Sequence, residues 1–403
     1  MSISDRSAYE RVTAPFAGLR RHARAIVVGL GLVAAIIWLF PDVTPRSAEL
    51  PPVRLVHGLI LEWLPASDPG QPDTRIKVLK GIPGGPHTGD VIDGFLQGPN
   101  GLEAHPDFNV GEEVVVDIST DPGSDASFAA VNDRYRVPTL AALLGLFALA
   151  VTLVGGWRGV RSLIALALTF AVILRIVIPL ILAGWDPALV AIVTASGVTV
   201  ATFLITEGIR AQTFAAIAGT AISVGLVALL AVIFDALARF SPLGGSEDAG
   251  YLVSLGGTSV DVAGLVLAAV IFGALGVLDD VTVTQASTVQ ELFETDPGAS
   301  RVRLAGRAMN VGRSHIAATV NTLVLAYVGA SLPLLVLFAA GRQDPLLIAS
   351  GEVVAVEIVR SLVGSIGIVA AVPVTTAVAV LMVGRRIPFT RETATYRRAP
   401  GWD

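Results

Sequence analysis

The chain has 403 residues, 53% of them hydrophobic and 15% charged, with a mean hydropathy of +0.71. That balance excludes an ordinary soluble domain and implies an integral membrane protein. No cysteine is present, which removes disulfides, thiolate metal sites and cysteine nucleophiles. The net charge of −5 says little about partners, because in a membrane protein the placement of arginine matters more than the total. No nucleic-acid partner is expected.

Residues 1–24 carry Arg6, Arg11, Arg20, Arg21 and Arg24 ahead of an apolar run. A basic flank before a short hydrophobic stretch reads either as a signal peptide or as an uncleaved anchor. Trp38, Phe40 and Pro41 end the run and no A-x-A site follows, which favours the anchor. Residues 1–24 then form a cytoplasmic segment and residues 25–41 the first transmembrane helix.

Between residues 42 and 137 the character changes. VRLVHGLILEW, TRIKVLK and EEVVVDIST are rich in β-branched residues and are separated by the turn signals DPG, IPGGP, GPNG and NVGE. They predict a compact β domain, a small barrel of the OB or SH3 type that closes its own edges. A cytoplasmic basic N-terminus places this domain outside the cytoplasmic membrane. His57, His87 and His105 are scattered among its turn residues and read as solvated loop histidines rather than metal ligands.

Residues 138–384 are almost continuously apolar, and breaks at Gly, Pro and charge divide them into spans at 138–155, 163–183, 188–205, 214–237, 262–283, 316–340 and 359–383. Arginine clusters at 158/161, 210, 301–313 and in the tail 385–403 alternate with loops poor in basic residues. The expected fold is thus a membrane all-α bundle of about eight transmembrane helices, both termini cytoplasmic, with an extracytoplasmic β domain after the first helix. Glu352, Glu357 and Arg360 interrupt the stretch 346–360, which either lies in the interface or re-enters.

The polar positions in these spans carry whatever chemistry there is. Asp279 and Asp280 end an apolar run, and ionised carboxylates in or beside a bilayer are costly. From Asp280, Thr284, Ser287 and Glu291 follow at helical spacing and form one polar face. Such a stripe suits a proton or cation path; the competing reading is a helix that leaves the membrane at Asp279 and continues as an amphipathic cytoplasmic segment. Hard oxygen ligands from Asp279, Asp280 and nearby Thr, Ser or Asn would suit Mg²⁺, Ca²⁺ or Na⁺ rather than a soft metal. Arg175 interrupts the middle of its span and needs a carboxylate, a carbonyl or water, with Asp279, Asp280 and Glu357 as candidates. Asn321 either bonds across to the aspartate helix or packs helices together. His315 reads as a relay or a boundary residue, and Glu357 with Arg360, three apart, as a local pair.

Three runs, GALGVLDDVTVTQAS, GRSHIAATVNTLVLAYVGASLPLL and GEVVAVEIVRSLVGSIGIVAAVPVTT, together with NDRYRVP at the entry to the apolar half, resemble the YibE/F family of bacterial membrane proteins over residues 134–386. The resemblance implies a polytopic membrane protein with an extracytoplasmic N-terminal portion and carries no catalytic assignment. An apolar, Gly-rich helix leading into Asp and a Glu-containing continuation is also similar to the proton-relay helix of resistance-nodulation-division permeases and Sec accessory subunits.

No GxGD, HExxH, GxSxG or GxxxxGK[ST] motif occurs, so neither an enzyme nor a bound cofactor is expected. The leading expectation is a secondary transporter that couples a proton or cation through Asp279 and Asp280, with Thr284, Ser287, Arg175, Asn321 and Glu357 in the same polar cavity. The competing class is a non-transporting assembly or envelope-maintenance factor whose β domain binds a partner protein. Lipid is the expected environment, a small ion or solute the expected ligand, and an oligomer is compatible with both.

Overall fold

A computed structural model describes residues 54–65, 72–82, 85–96, 108–120, 127–240, 261–341 and 344–384, with positions 27, 31, 34–36 and 38 of the first apolar run. Two compact units emerge, Ala48–Ala150 and Met1–Ser47 with Val151–Asp403.

In the first unit, five strands, β1 (Arg54–Trp63), β2 (Thr74–Lys80), β3 (Val91–Leu96), β4 (Glu113–Thr120) and β5 (Ser127–Arg134), close into a barrel in the order β1-β2-β3-β5-β4. All pairings are antiparallel except β3–β5. This is the OB arrangement, so it decides between the two barrels expected. Alternation along the strands explains the closure: Val56 and Ile60, Ile76 and Val78, and Val114, Val116 and Ile118 point inward as an aliphatic core, with Phe108 packed against it. Gly58 faces Ile76 and Val116 where β1 crosses the core, leaving no space for a side chain. Asp73 ties the start of β2 to the end of β3 by accepting from Thr74 Oγ1 at 2.8 Å and from the Leu96 N–H at 2.9 Å. His57 stacks on Tyr135 with ring centroids 3.6 Å apart and meets Glu113 at 3.1 Å, while exposed His87 lies 3.7 Å from Asp90. His105 lies outside the described residues, among which no metal-binding cluster occurs.

The second unit is helical: α1 (Val137–Val172, entering from the first unit), a π-helical turn (Ile173–Val177), α2 (Ile178–Leu182), α3 (Pro187–Thr206), α4 (Ala211–Ala238), α5 (Val262–Thr295), α6 (Arg301–Ala330), α7 (Leu332–Ala340), α8 (Pro345–Ser350) and α9 (Glu352–Met382). Among the described residues, five helical segments are long and apolar enough to cross a bilayer, and a sixth is added if α6 and α7, bent by 60° at Ser331, count as one. The stretch Val137–Leu182, 46 residues taken as one of these five, would extend about 69 Å at ~1.5 Å per residue, over twice the bilayer core. It breaks at Gly156, whose φ of 55° and ψ of −136° no helical residue adopts, in the place expected for the join between two spans. Most of the expected first span, the loop 241–260 and the tail 385–403 lie outside the described residues.

Pro179, which has no N–H to give to the preceding turn, follows the π-helical turn that carries Arg175; the Ile178 N–H bonds instead to the Ile173 carbonyl. Residues 346–360 divide into two helices. Gly351, extended at φ −64° and ψ 135°, ends α8 and starts α9. Glu357 and Arg360 then pair at 2.6 Å inside a continuous helix, which is why they do not break it.

Helix α5 is central and packs against α3, α4, α6 and α9 through Ala268, Ile271, Ala274, Leu275, Leu278 and Val281. Small residues permit the close approach that apolar surroundings alone do not drive. Between α4 and α9 two notches face opposite ways: Gly219 of α4 receives Thr375, and Gly367 of α9 receives Val227.

Candidate functional site

Asp279 lies mid-helix on α5, which continues 16 residues beyond it to Thr295. Its side chain is half-buried and turned toward α3 and α4. Thr199 Oγ1 donates to the carboxylate at 3.2 Å from Oδ1 and 3.4 Å from Oδ2. Thr220 Oγ1 is 2.6 Å from Thr282 Oγ1, which in turn donates to the Asp279 carbonyl at 3.3 Å. All three threonines are buried. Among the described residues no basic side chain pairs with this carboxylate. Thr199 stands seven residues before the end of α3 and Thr220 nine after the start of α4, about 10 and 14 Å into those helices at ~1.5 Å per residue. The carboxylate therefore sits within the length of these apolar helices, although α5 also runs on past them.

One turn further, Gln285 Nε2 donates to Thr376 Oγ1 at 2.7 Å and to the Ala308 carbonyl at 3.1 Å, and Thr376 donates to the Val372 carbonyl at 2.7 Å. Gly312 of α6 leaves the space that the Gln285 amide and Val372 occupy. The buried polar face of α5 is thus Asp279, Thr282 and Gln285, each three residues after the last.

The face expected to carry the path is a different one. Asp280 has a side chain 73% exposed, with His315 Nε2 4.0 Å away, so the two aspartates diverge and do not form a buried pair. Thr284 and Glu291 are exposed and Ser287 half-buried along the same outer stripe. A step of one residue turns a helix by about 100°, enough to exchange an inward face for an outward one. Asn321 is exposed on α6, and Glu357 is held by Arg360, leaving neither on Asp279. Arg175 is half-buried on the π-helical turn, which packs against α3.

Sequence reasoning missed Thr199, Thr220, Thr282, Gln285 and Thr376. The available signal was periodic: Thr282 and Gln285 follow Asp279 at offsets of three and six on the side of the helix that also carries Leu278 and Val289, both buried.

Chemically, the arrangement places one carboxylate against the Thr199 hydroxyl, beside the Thr220–Thr282 pair, in helix-packed surroundings with no basic partner among the described residues. An ionised group so placed is stabilised by gaining a proton or a cation.

The family model described as YibE/F-like protein matches residues 143–385, more than half of the chain. The chain belongs to that family, and its apolar helices accord with a membrane protein. Neither a curated protein nor a solved structure matches it.

Proposed function

We propose that this YibE/F protein is a secondary transporter of the bacterial cytoplasmic membrane that couples solute movement to a proton or cation through Asp279. The observation that carries this reading is the carboxylate itself: it is enclosed by α3, α4 and α5, hydrogen-bonded by Thr199 and without a basic partner among the described residues. Binding and release of a positive charge there changes the electrostatic cost of the site by several kcal/mol, the kind of difference that drives a transport cycle. Coupling is assigned to Asp279 alone, because Asp280 faces outward. The reading includes eight spans, counting residues 25–41, two pieces of Val137–Leu182 divided at Gly156, and the bent α6–α7 pair as one, with cytoplasmic termini and an extracytoplasmic barrel. No bond-making chemistry, cofactor or nucleic acid enters it.

Proteoliposomes loaded with a pH-sensitive dye in NaCl medium test the proposal. Asp279→Asn is expected to abolish an imposed-gradient proton flux that Asp280→Asn retains; equal flux in wild type and Asp279→Asn sinks the mechanism. The reading of a partner-binding envelope factor draws on the barrel, where Leu55, Leu61, Trp63 and Val91 are exposed. A photo-crosslinker at position 63 of the full chain that captures one envelope protein, with Asp279→Asn harmless in cells, would favour it.

A further inference from the structure

We propose that Asp279, Thr199, Thr220 and Thr282 form a binding site for a small monovalent cation, with Na⁺ the ion to test. The inference rests on the transport reading above and gives that carboxylate its ligand.

The Thr199 and Thr220 hydroxyls are arranged unlike most others in the bundle. Thr169, Thr194, Thr206, Thr288, Thr322 and Thr376 each give their proton to the carbonyl four residues earlier in their own helix, the usual way a helical threonine is satisfied. Thr199 instead turns to a carboxylate on another helix, and Thr220 and Thr282 meet across two helices at 2.6 Å beside that same residue. A hydroxyl is both donor and acceptor. Each can give its proton to its own helix, as Thr282 already does, and present a lone pair to a cation beside the carboxylate. A proton requires only one carboxylate oxygen, whereas hydroxyls gathered at one aspartate from three helices supply the further oxygens that a cation takes.

Charge selects the ion. The site can hold no more than one negative charge, since Asp280 points away, and among the described residues no group of three His, Cys, Asp or Glu side chains occurs. A monovalent cation leaves the site neutral, whereas a divalent one leaves an excess positive charge in apolar surroundings. The donor set is oxygen only, which suits an alkali ion rather than a transition metal.

The test is the thermal unfolding midpoint of the purified full-length protein in detergent, with NaCl exchanged for choline chloride at constant ionic strength, and with LiCl, KCl and MgCl₂ in parallel. A ligand that binds only the folded state raises the midpoint in a saturable way. Na⁺ is expected to do so in wild type and in Asp280→Asn. Thr199→Ala is expected to raise the apparent Kd for Na⁺ by about tenfold or more, as lost metal-site contacts do, and Thr199→Ser to restore it, so the proposal stays testable even where Asp279→Asn fails to fold. Equal midpoints in NaCl and choline chloride overturn the site, as does a Na⁺ shift that survives Asp279→Asn or stabilisation by MgCl₂ at lower concentration than by NaCl. Asp279-dependent flux that is the same in NaCl and choline chloride, with no Na⁺ shift, overturns the cation site and leaves the transporter standing. A Na⁺ shift without Asp279-dependent flux of either protons or radiolabelled Na⁺ supports the site and removes the transporter.

Discussion

The barrel and the helical bundle distribute polarity in opposite ways. In the barrel the interior is aliphatic, with Thr74 the buried polar residue among those described, and the charged pairs Arg75–Glu62, Arg75–Asp93 and Arg134–Glu112 lie outside. In the bundle the outward surface is crowded with Leu, Val, Ile and Phe, while Thr199, Thr220, Thr282, Gln285, Thr375 and Thr376 are inside. Water drives apolar groups together, so a small barrel is held by its hydrocarbon core. Lipid gives no such drive, so helices are held by close contact at small residues and by hydrogen bonds between them.

The contrast can be broken in order of expected size. Ile76→Ala, at a fully buried barrel position, should cost about 2–5 kcal/mol, read as early loss of barrel structure in thermal or urea unfolding of the full chain; a negligible cost would show that the barrel does not depend on its aliphatic core. Gly219→Val drives a side chain into Thr375 and should destabilise the bundle by about 1–3 kcal/mol in denaturing-detergent titration, whereas an unchanged titration would mean that close contact there is not needed. Thr220→Val removes the bond to Thr282 at near-constant shape and should cost only about 0.6 kcal/mol in the same titration; a loss larger than that of Gly219→Val would invert the ranking of contact over hydrogen bonding. The smallest effect belongs to the barrel surface. The Arg136 guanidinium and the Arg134 backbone N–H hold the Asp133 carboxyl below its ordinary value of 3.8. A depressed carboxyl contributes stability above its unfolded pKa and loses it as pH falls through the folded one. Barrel stability should therefore weaken slightly below pH 3.8, and Asp133→Asn should flatten that part of the profile.

Where a pattern has a fixed period and one solvent, it could be read directly. VRLVHGLILEW alternates because one side of β1 meets hydrocarbon and the other water, and the barrel followed from it. The non-helical backbone at Gly156 falls where a glycine pair interrupts the apolar run, a local signal in the sequence. Along α5 the polar face was misjudged. Around a helix in lipid, apolar residues face both the bilayer and the neighbouring helices, so hydropathy does not distinguish inside from outside, and the louder stripe from Asp280 to Glu291 drew attention from Asp279, Thr282 and Gln285. Thr199 and Thr220 lie 80 and 59 residues before Asp279, and no local period links them to it; only the packing of α3 and α4 does.

The two notches between α4 and α9 have a mechanical consequence. Gly219 and Val227 are eight residues apart on one helix, Thr375 and Gly367 eight apart on the other, so the helices are pegged at two points about 12 Å apart at ~1.5 Å per residue, with peg and socket exchanged between them. A beam pinned twice can neither slide nor swivel on its neighbour. α4 and α9 therefore share one frame, and sliding between helices of the bundle is confined to seams other than theirs.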